Sequence, residues 1–186
     1  MKSLVIDKIG EDAYQFIAQY TDLENKKSFI VSTTNEFNIL NDNNDHDSII
    51  NLSLVNNIRY INKFFESVNK KTKSNDLFIG CFETFTARRA RIWINKIPII
   101  RGIYFIMEFI FLRMFPKMFG FKKIYFLFTR GRNRLLSKAE VLGRLVSCGF
   151  EIIDFQSING LVYFVSRKTK EPTYNMNPSY GPLYKM

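Results

Sequence analysis

The stretch at 136–168, LSKAEVLGRLVSCGFEIIDFQSINGLVYFVSRK, constrains this chain more than any other. Ser137 and Glu140 stand in the S-x-x-E spacing of a capping box, where the first side chain satisfies an orphan N–H of the opening helical turn. Val141, Leu142, Leu145 and Val146 then recur at helical spacing and predict one buried stripe. Gly149 stands where a helix leaves through a left-handed residue. Two apolar runs follow, at 150–155 and 161–166, and read as strands. Between them Asn159 and Gly160 predict a turn of type I′ character. The hairpin is tight if those two residues alone form the loop; a longer loop taking in Ser157 is the alternative. Many α/β domains close their sheet in this way, with the ligand site elsewhere on the same sheet.

The upstream chain supplies the rest of such a sheet. Residues 28–33 and 47–53 read as strands, separated by the polar loop NDNNDHD. The span 56–71 reads as a helix with Ile58, Ile61, Phe65 and Val68 on one face and Asn56 or Asn57 as its cap. Residues 76–83 form a third strand, too apolar to be half exposed. Strand, helix, strand is a βαβ unit, which implies a parallel pair with a right-handed crossover. Residues 11–20 can make a short helix, but 1–27 as a whole has no assigned place in the fold. The tail 169–186 carries three prolines without periodicity and reads as an extended linker. With 186 residues, 46% of them hydrophobic, the chain can bury a core of its own. The short N-terminal apolar run is soon followed by acids, so it does not read as a secretory signal.

Charge is segregated. Residues 87–134 hold twelve Lys or Arg and one acid, Glu108, while the rest of the chain is close to neutral. This block, an insert at about 86–135, contains the apolar run GIYFIMEFIFL at 102–112. At 11 residues the run is short of the ~20 needed to span a bilayer. Its apolar residues surround a helix on all sides, so such a helix must be buried or lie in an interface. Three readings stay open: a helical hairpin with a solvated basic rim, a membrane-surface element, and a nucleic-acid module. On the second, Arg88, Arg89, Arg91, Lys122, Lys123, Arg130, Arg132 and Arg134 meet phosphate, and Ile103, Phe105, Ile106, Phe109 and Ile110 enter the interface. No RNP, zinc-finger or helix-turn-helix pattern supports the third.

Residues that carry chemistry are few. Cys81 and Cys148 lie far apart in apolar contexts and read as core residues, neither disulfide nor metal site, which suits a reducing compartment. His46, the single histidine, reads as a solvated loop residue. Its loop resembles a calcium loop only superficially: Asp47 stands in place of the required glycine and Ser53 in place of the bidentate glutamate. There is no G-x-S-x-G, P-loop or G-x-G-x-x-G. Glu83 ends the third strand, where α/β sites cluster, but alone it reads as an ion-pair partner of Arg88 or Arg89. No catalytic, cofactor-binding or metal-ligating residue is therefore assigned.

The element order resembles the second half of a class I S-adenosylmethionine-dependent methyltransferase, whose last strands form an antiparallel hairpin after a "GF" step, here Gly149-Phe150. Ser74-Asn75-Asp76 replaces the Pro-Gly-Gly-like turn of that family. More specifically, IYFLFTRGRNRLLSKAEVLGRLVSCGFEIID, INGLVYFV and EPTYNMNPSYGPLYKM resemble the domain that precedes bacterial polyprenyl-phosphate sugar-1-phosphate transferases. Those enzymes start capsule or exopolysaccharide units on a lipid carrier. The resemblance covers most of 28–186 and implies an incomplete Rossmann-like α/β sheet of methyltransferase type, with a C-terminal antiparallel hairpin and a basic, aromatic-rich helical insert. It implies a cytoplasmic chain, peripheral at the inner face of the membrane, with a transferase catalytic domain as partner. The family's glycine-rich cofactor loop and ribose-binding acid have no counterparts here, so the expected role is non-catalytic. A divergent methyltransferase with a rebuilt cofactor site is the alternative.

Overall fold

A computed structural model describes residues 2–42, 44–92, 98–115, 118, 125, 127, 129–130 and 132–172. Among these residues, five strands form one mixed sheet: β1 (Ser28–Val31), β2 (Ser48–Leu54), β3 (Leu77–Phe82), β4 (Phe150–Ile158) and β5 (Leu161–Lys168), in spatial order β1-β2-β3-β5-β4. The pair β2–β3 is parallel, as the βαβ pattern implies, and β1 also pairs parallel to β2; β5 runs antiparallel to both β3 and β4. This is the incomplete Rossmann-like sheet with a closing hairpin that the resemblance implies.

Helices cover both faces. On one lie α3 (Phe37–Leu40), α4 (Ile61–Lys71) and α7 (Lys138–Ser147); on the other lie α1 (Lys2–Ile9) and α2 (Glu11–Ala18). The two-residue period of the strands sorts the core between them. Ile49 and Phe78 join the α4/α7 side, while their neighbours Ile50 and Ile79 join the α1/α2 side. Phe78 is the centre of the first layer, with ring centroids 5.8, 5.6 and 5.5 Å from those of Phe65, Phe150 and Phe164. Edge-on and tilted pairs of this kind explain where much of the chain's phenylalanine goes. The N-terminal segment is part of this architecture, because Ala13, Phe16 and Ile17 of α2 are buried in the second layer.

Several local expectations shift. Helix α4 starts at Ile61, after a 3₁₀ turn at Val55–Asn57, and its N-cap is Tyr60. Asn56 and Asn57 do not cap it, because their side chains are engaged elsewhere. Ser137 does cap α7, accepting from the Glu140 N–H at 3.1 Å. Val141 and Leu145 are buried, but Val146 is 47% exposed: about 140° round the helix from Val141, it turns to solvent. Asn159 and Gly160, both at positive φ, make the hairpin loop alone, since Ile158 pairs directly with Leu161. Lys168, 9% exposed, has an unforeseen role: its ammonium donates to the carbonyls of Asn69 and Thr72 at 2.8 and 3.0 Å. It thus caps the C-terminal end of α4 with a cation.

Both cysteines are free and buried. Burial pushes the Cys81 thiol up to about 12 and the Cys148 thiol up to about 11, from an ordinary 9.0. A raised thiol pKa means that the unfolded chain releases its proton first as pH rises. Stability is therefore expected to fall from about pH 9 upward and to keep falling until the folded-state values are reached. Urea midpoints across pH 8 to 11 check this, and Cys81→Ala/Cys148→Ala should flatten the slope.

Candidate functional site

In open α/β sheets, ligands bind beyond the carboxyl ends of the strands, at a point where the strand order reverses. Here β1, β2 and β3 follow one another in a single direction, so the parallel strands create no such point. The turn after β1 is also filled by its own side chains. Asn51 accepts from the Thr33 N–H at 3.1 Å and donates to the Thr33 carbonyl at 3.0 Å, while Thr33 Oγ1 accepts from the Asn35 N–H and from Asn38.

The carboxyl ends of β2 and β3 serve instead to root the insert. Thr84 bridges to Leu136, and the Phe85 N–H donates to the Leu136 carbonyl at 3.0 Å. Asn56, 5% exposed, joins these roots: its amide donates to the carbonyls of Glu83 (2.8 Å) and Arg134 (2.9 Å) and accepts from the Glu83 N–H (2.7 Å). Asn57 accepts from the Asn133 N–H at 3.0 Å. Two adjacent asparagines in a 3₁₀ turn thus hold both ends of an excursion of some fifty residues.

Within the insert, α5 (Phe85–Arg91), capped by the Thr84 side chain, receives α6 (Pro98–Phe109), which continues into a π-turn at Ile110–Met114. The contact is electrostatic. The Glu108 side chain is 2% exposed and its carboxylate lies 3.1 Å from Arg88 Nε and 3.6 Å from Arg89 Nε. Arg89 also sits over the Phe105 ring, 4.5 Å from its centroid. Burying a carboxylate is costly unless cations compensate it, and two guanidinium groups do so here. Glu108→Gln keeps the shape and removes the charge. It is expected to weaken the α5–α6 contact by about 1–3 kcal/mol, the lower end reflecting partly exposed arginines. Hydrogen exchange should then rise across 98–112 while β2, β3 and β5 stay protected.

The insert brings some of the sequence-predicted residues together and disperses others. Arg88 and Arg89 converge on Glu108. Arg91, not Arg88 or Arg89, pairs with Glu83, at 2.9 Å. Arg130 and Arg132 are exposed and Arg134 is half buried, with Nη1 3.3 Å from the Arg59 carbonyl. Lys122 and Lys123 lie outside the described residues. Ile103, Ile106 and Phe109 are exposed; Phe105 and Ile110 are half buried. Sequence reasoning missed Glu108 as the residue that seats α6, although its standing as the one acid in the basic block was a usable signal. It missed Asn56 as a tie, for which no local signal exists.

Other polar groups offer little chemistry. His46 is not solvated: its ring stacks on Phe29 at 4.8 Å and its Nε2 meets the Asp42 carboxylate. Burial opposes ionisation of Asp42, yet hydrogen bonds from His46 and the Asn44 N–H hold its carboxyl below the ordinary value. An open cleft of about 400 Å³ beside the insert root is lined by Thr84, Phe85, Thr86, Ala87, Lys138, Ser157, Gly160 and Val162, with Lys138 the charged residue among these described ones. Among the described residues no cluster of His, Cys, Asp and Glu could hold a metal, and no helix is long and apolar enough to cross a membrane.

No family model matches this chain, and no curated protein does. Among solved structures it is similar to a possible exported protein from Bordetella parapertussis, at 14% identity and a TM-score of 0.37, over 67% of this chain and 39% of that one. It is also similar to an O-methyltransferase family protein from Burkholderia thailandensis, at 10% identity and a TM-score of 0.40, over 87% of this chain and 41% of that one. The chain spans about two fifths of the length of each. Likenesses this distant carry no argument about chemistry, and the α/β reading rests on the sheet itself: three parallel strands closed by a hairpin.

Proposed function

We propose that this chain is a non-catalytic accessory scaffold for lipid-linked sugar transfer in bacteria, the methyltransferase-like domain that stands before a polyprenyl-phosphate sugar-1-phosphate transferase. The observation that carries the non-catalytic part is the Asn56 tie. At the carboxyl edge of β2 and β3, where an α/β enzyme of this type would hold its ligand, Asn56 binds Glu83 and Arg134 and fixes the roots of the insert. The transferase context is supported by the residues around 124–154 and the proline-bearing exit, which resemble that family. On this reading the chain works at the cytoplasmic face of the membrane, as a surface for the catalytic domain or for lipid.

Calorimetric titration with S-adenosylmethionine tests the first part. No heat beyond dilution is the expected result, and micromolar binding overturns the reading in favour of a divergent methyltransferase that uses the cleft at Thr86 and Lys138. The DNA following the codon for Met186 tests the second. An encoded transferase domain in frame, or one codon change away, supports the context, and an unrelated sequence removes it.

A further inference from the structure

Helix α6 is seated the wrong way round for a surface helix in water. Such a helix ordinarily buries its apolar stripe and exposes its charge. Here Glu108 is turned in, while Ile103, Ile106, Met107 and Ile110, spaced i, i+3, i+4 and i+7, share the opposite side. Ile103 and Ile106 are 64% and 62% exposed. Among the described residues, nine of the fifteen exposed large hydrophobics fall between Ile100 and Leu127, so the patch belongs to the insert and not to the sheet domain. A contiguous apolar stripe of this kind marks an interaction surface.

We infer that the stripe is covered by the headgroup–acyl boundary of an anionic bilayer, in which α6 lies flat. Length sets the orientation. Residues 98–114 make about 25 Å of helix, short of the ~30 Å hydrocarbon core, so the segment lies along the surface. Charge selects the lipid. The one acid of the block is engaged by Arg88 and Arg89, which leaves the exposed Arg101, Arg130 and Arg132 to set the sign of the surface. Arg88 also reaches the Asn133 carbonyl at 3.5 Å, which places Asn133, next to Arg132 in the chain, near the seated side of α6. Arg101, about two helical turns before Glu108, shares that seated side, so the cations stand opposite the stripe and reach the level of the lipid phosphates when the stripe is inserted, the arrangement of a monotopic element. Nucleic acid would leave the isoleucines in water.

The inference rests on α6 and its seat, not on the sugar-transferase context, and calorimetry with S-adenosylmethionine can come out either way without moving it. The test is co-sedimentation of the full chain with phosphatidylcholine vesicles, with and without about one third phosphatidylglycerol. The chain is expected to sediment with the anionic vesicles. Ile103→Glu/Ile106→Glu and Arg130→Gln/Arg132→Gln should each weaken binding about tenfold or more, with circular dichroism unchanged. Phe37→Glu, an exposed site outside the insert, should bind like the parent. Failure to bind anionic vesicles overturns the inference, and so does equal binding by the isoleucine variant. A dimer that Ile103→Glu/Ile106→Glu dissociates, without vesicle binding, overturns it in favour of a second copy.

Discussion

Gly149→Ala is expected to destabilise the fold by about 3–5 kcal/mol, a large share of what a domain of this size holds. Gly149 sits at φ +91, a conformation in which an L side chain is strained. A Cβ there would also press into the Lys170 carbonyl oxygen and lie 2.7 Å from Asn69 Nδ2. Neither neighbour can give way freely. The Asn69 amide donates to Cys148 O and Lys170 O, and the Thr169 and Lys170 N–H groups both return to the Gly149 carbonyl. The substitution therefore strikes the junction where α4, α7, β4 and the exit from β5 meet. Urea denaturation followed by circular dichroism measures the loss. Gly143→Ala is the internal contrast: it lies inside α7 with open space beside it, and there alanine should stabilise by up to about 1 kcal/mol.

Asn56→Leu should cost about 3 kcal/mol, by a different route. Leucine is close in size but leaves the carbonyls of Glu83 and Arg134 and the N–H of Glu83 without the partner they have now. Each is a buried or half-buried backbone group, and an unmet one costs about 1–3 kcal/mol, partly recovered where water can enter. The site of the damage distinguishes this variant from Gly149→Ala. The insert should lose its seat before the sheet unfolds, so limited proteolysis should cut within 86–135 while 137–168 stays intact. Cleavage distributed evenly over the chain would show that Asn56 matters only to global stability.

What the sequence made legible follows from how local each determinant is. Ser137, Gly149 and the Asn159-Gly160 turn act within a few residues, through caps and backbone conformation, and their roles were readable as spacing. The parallel pairing of β2 with β3 was likewise readable, because a strand, an amphipathic helix and a second strand leave few other arrangements. Asn56 to Arg134, 78 residues apart, and Lys168 to Asn69, 99 apart, were not readable. Their partners are backbone carbonyls, which leave no mark in composition. The orientation of α6 falls between the two cases. Its apolar and basic character was plain, but an all-round apolar helix does not say which side turns inward. That is decided by Arg88 and Arg89, twenty and nineteen residues upstream of Glu108, once α5 has placed them together. The candidate site was therefore visible as a composition and invisible as a geometry.

A fluorescent label tests the outward turn of the α6 stripe most directly. Cys81 and Cys148 are buried, with thiols held protonated by burial, so a polarity-sensitive dye should attach only to an introduced cysteine. Ile106→Cys places the dye on the stripe, and Phe37→Cys places it on an exposed residue of the sheet domain. In buffer the dye at position 106 should report water. On anionic vesicles its emission should shift to the blue and be quenched by a lipid-borne quencher, while the dye at position 37 stays unchanged. A position-106 dye already shielded in buffer, or one that stays in water on the vesicles, would contradict the outward, membrane-facing stripe.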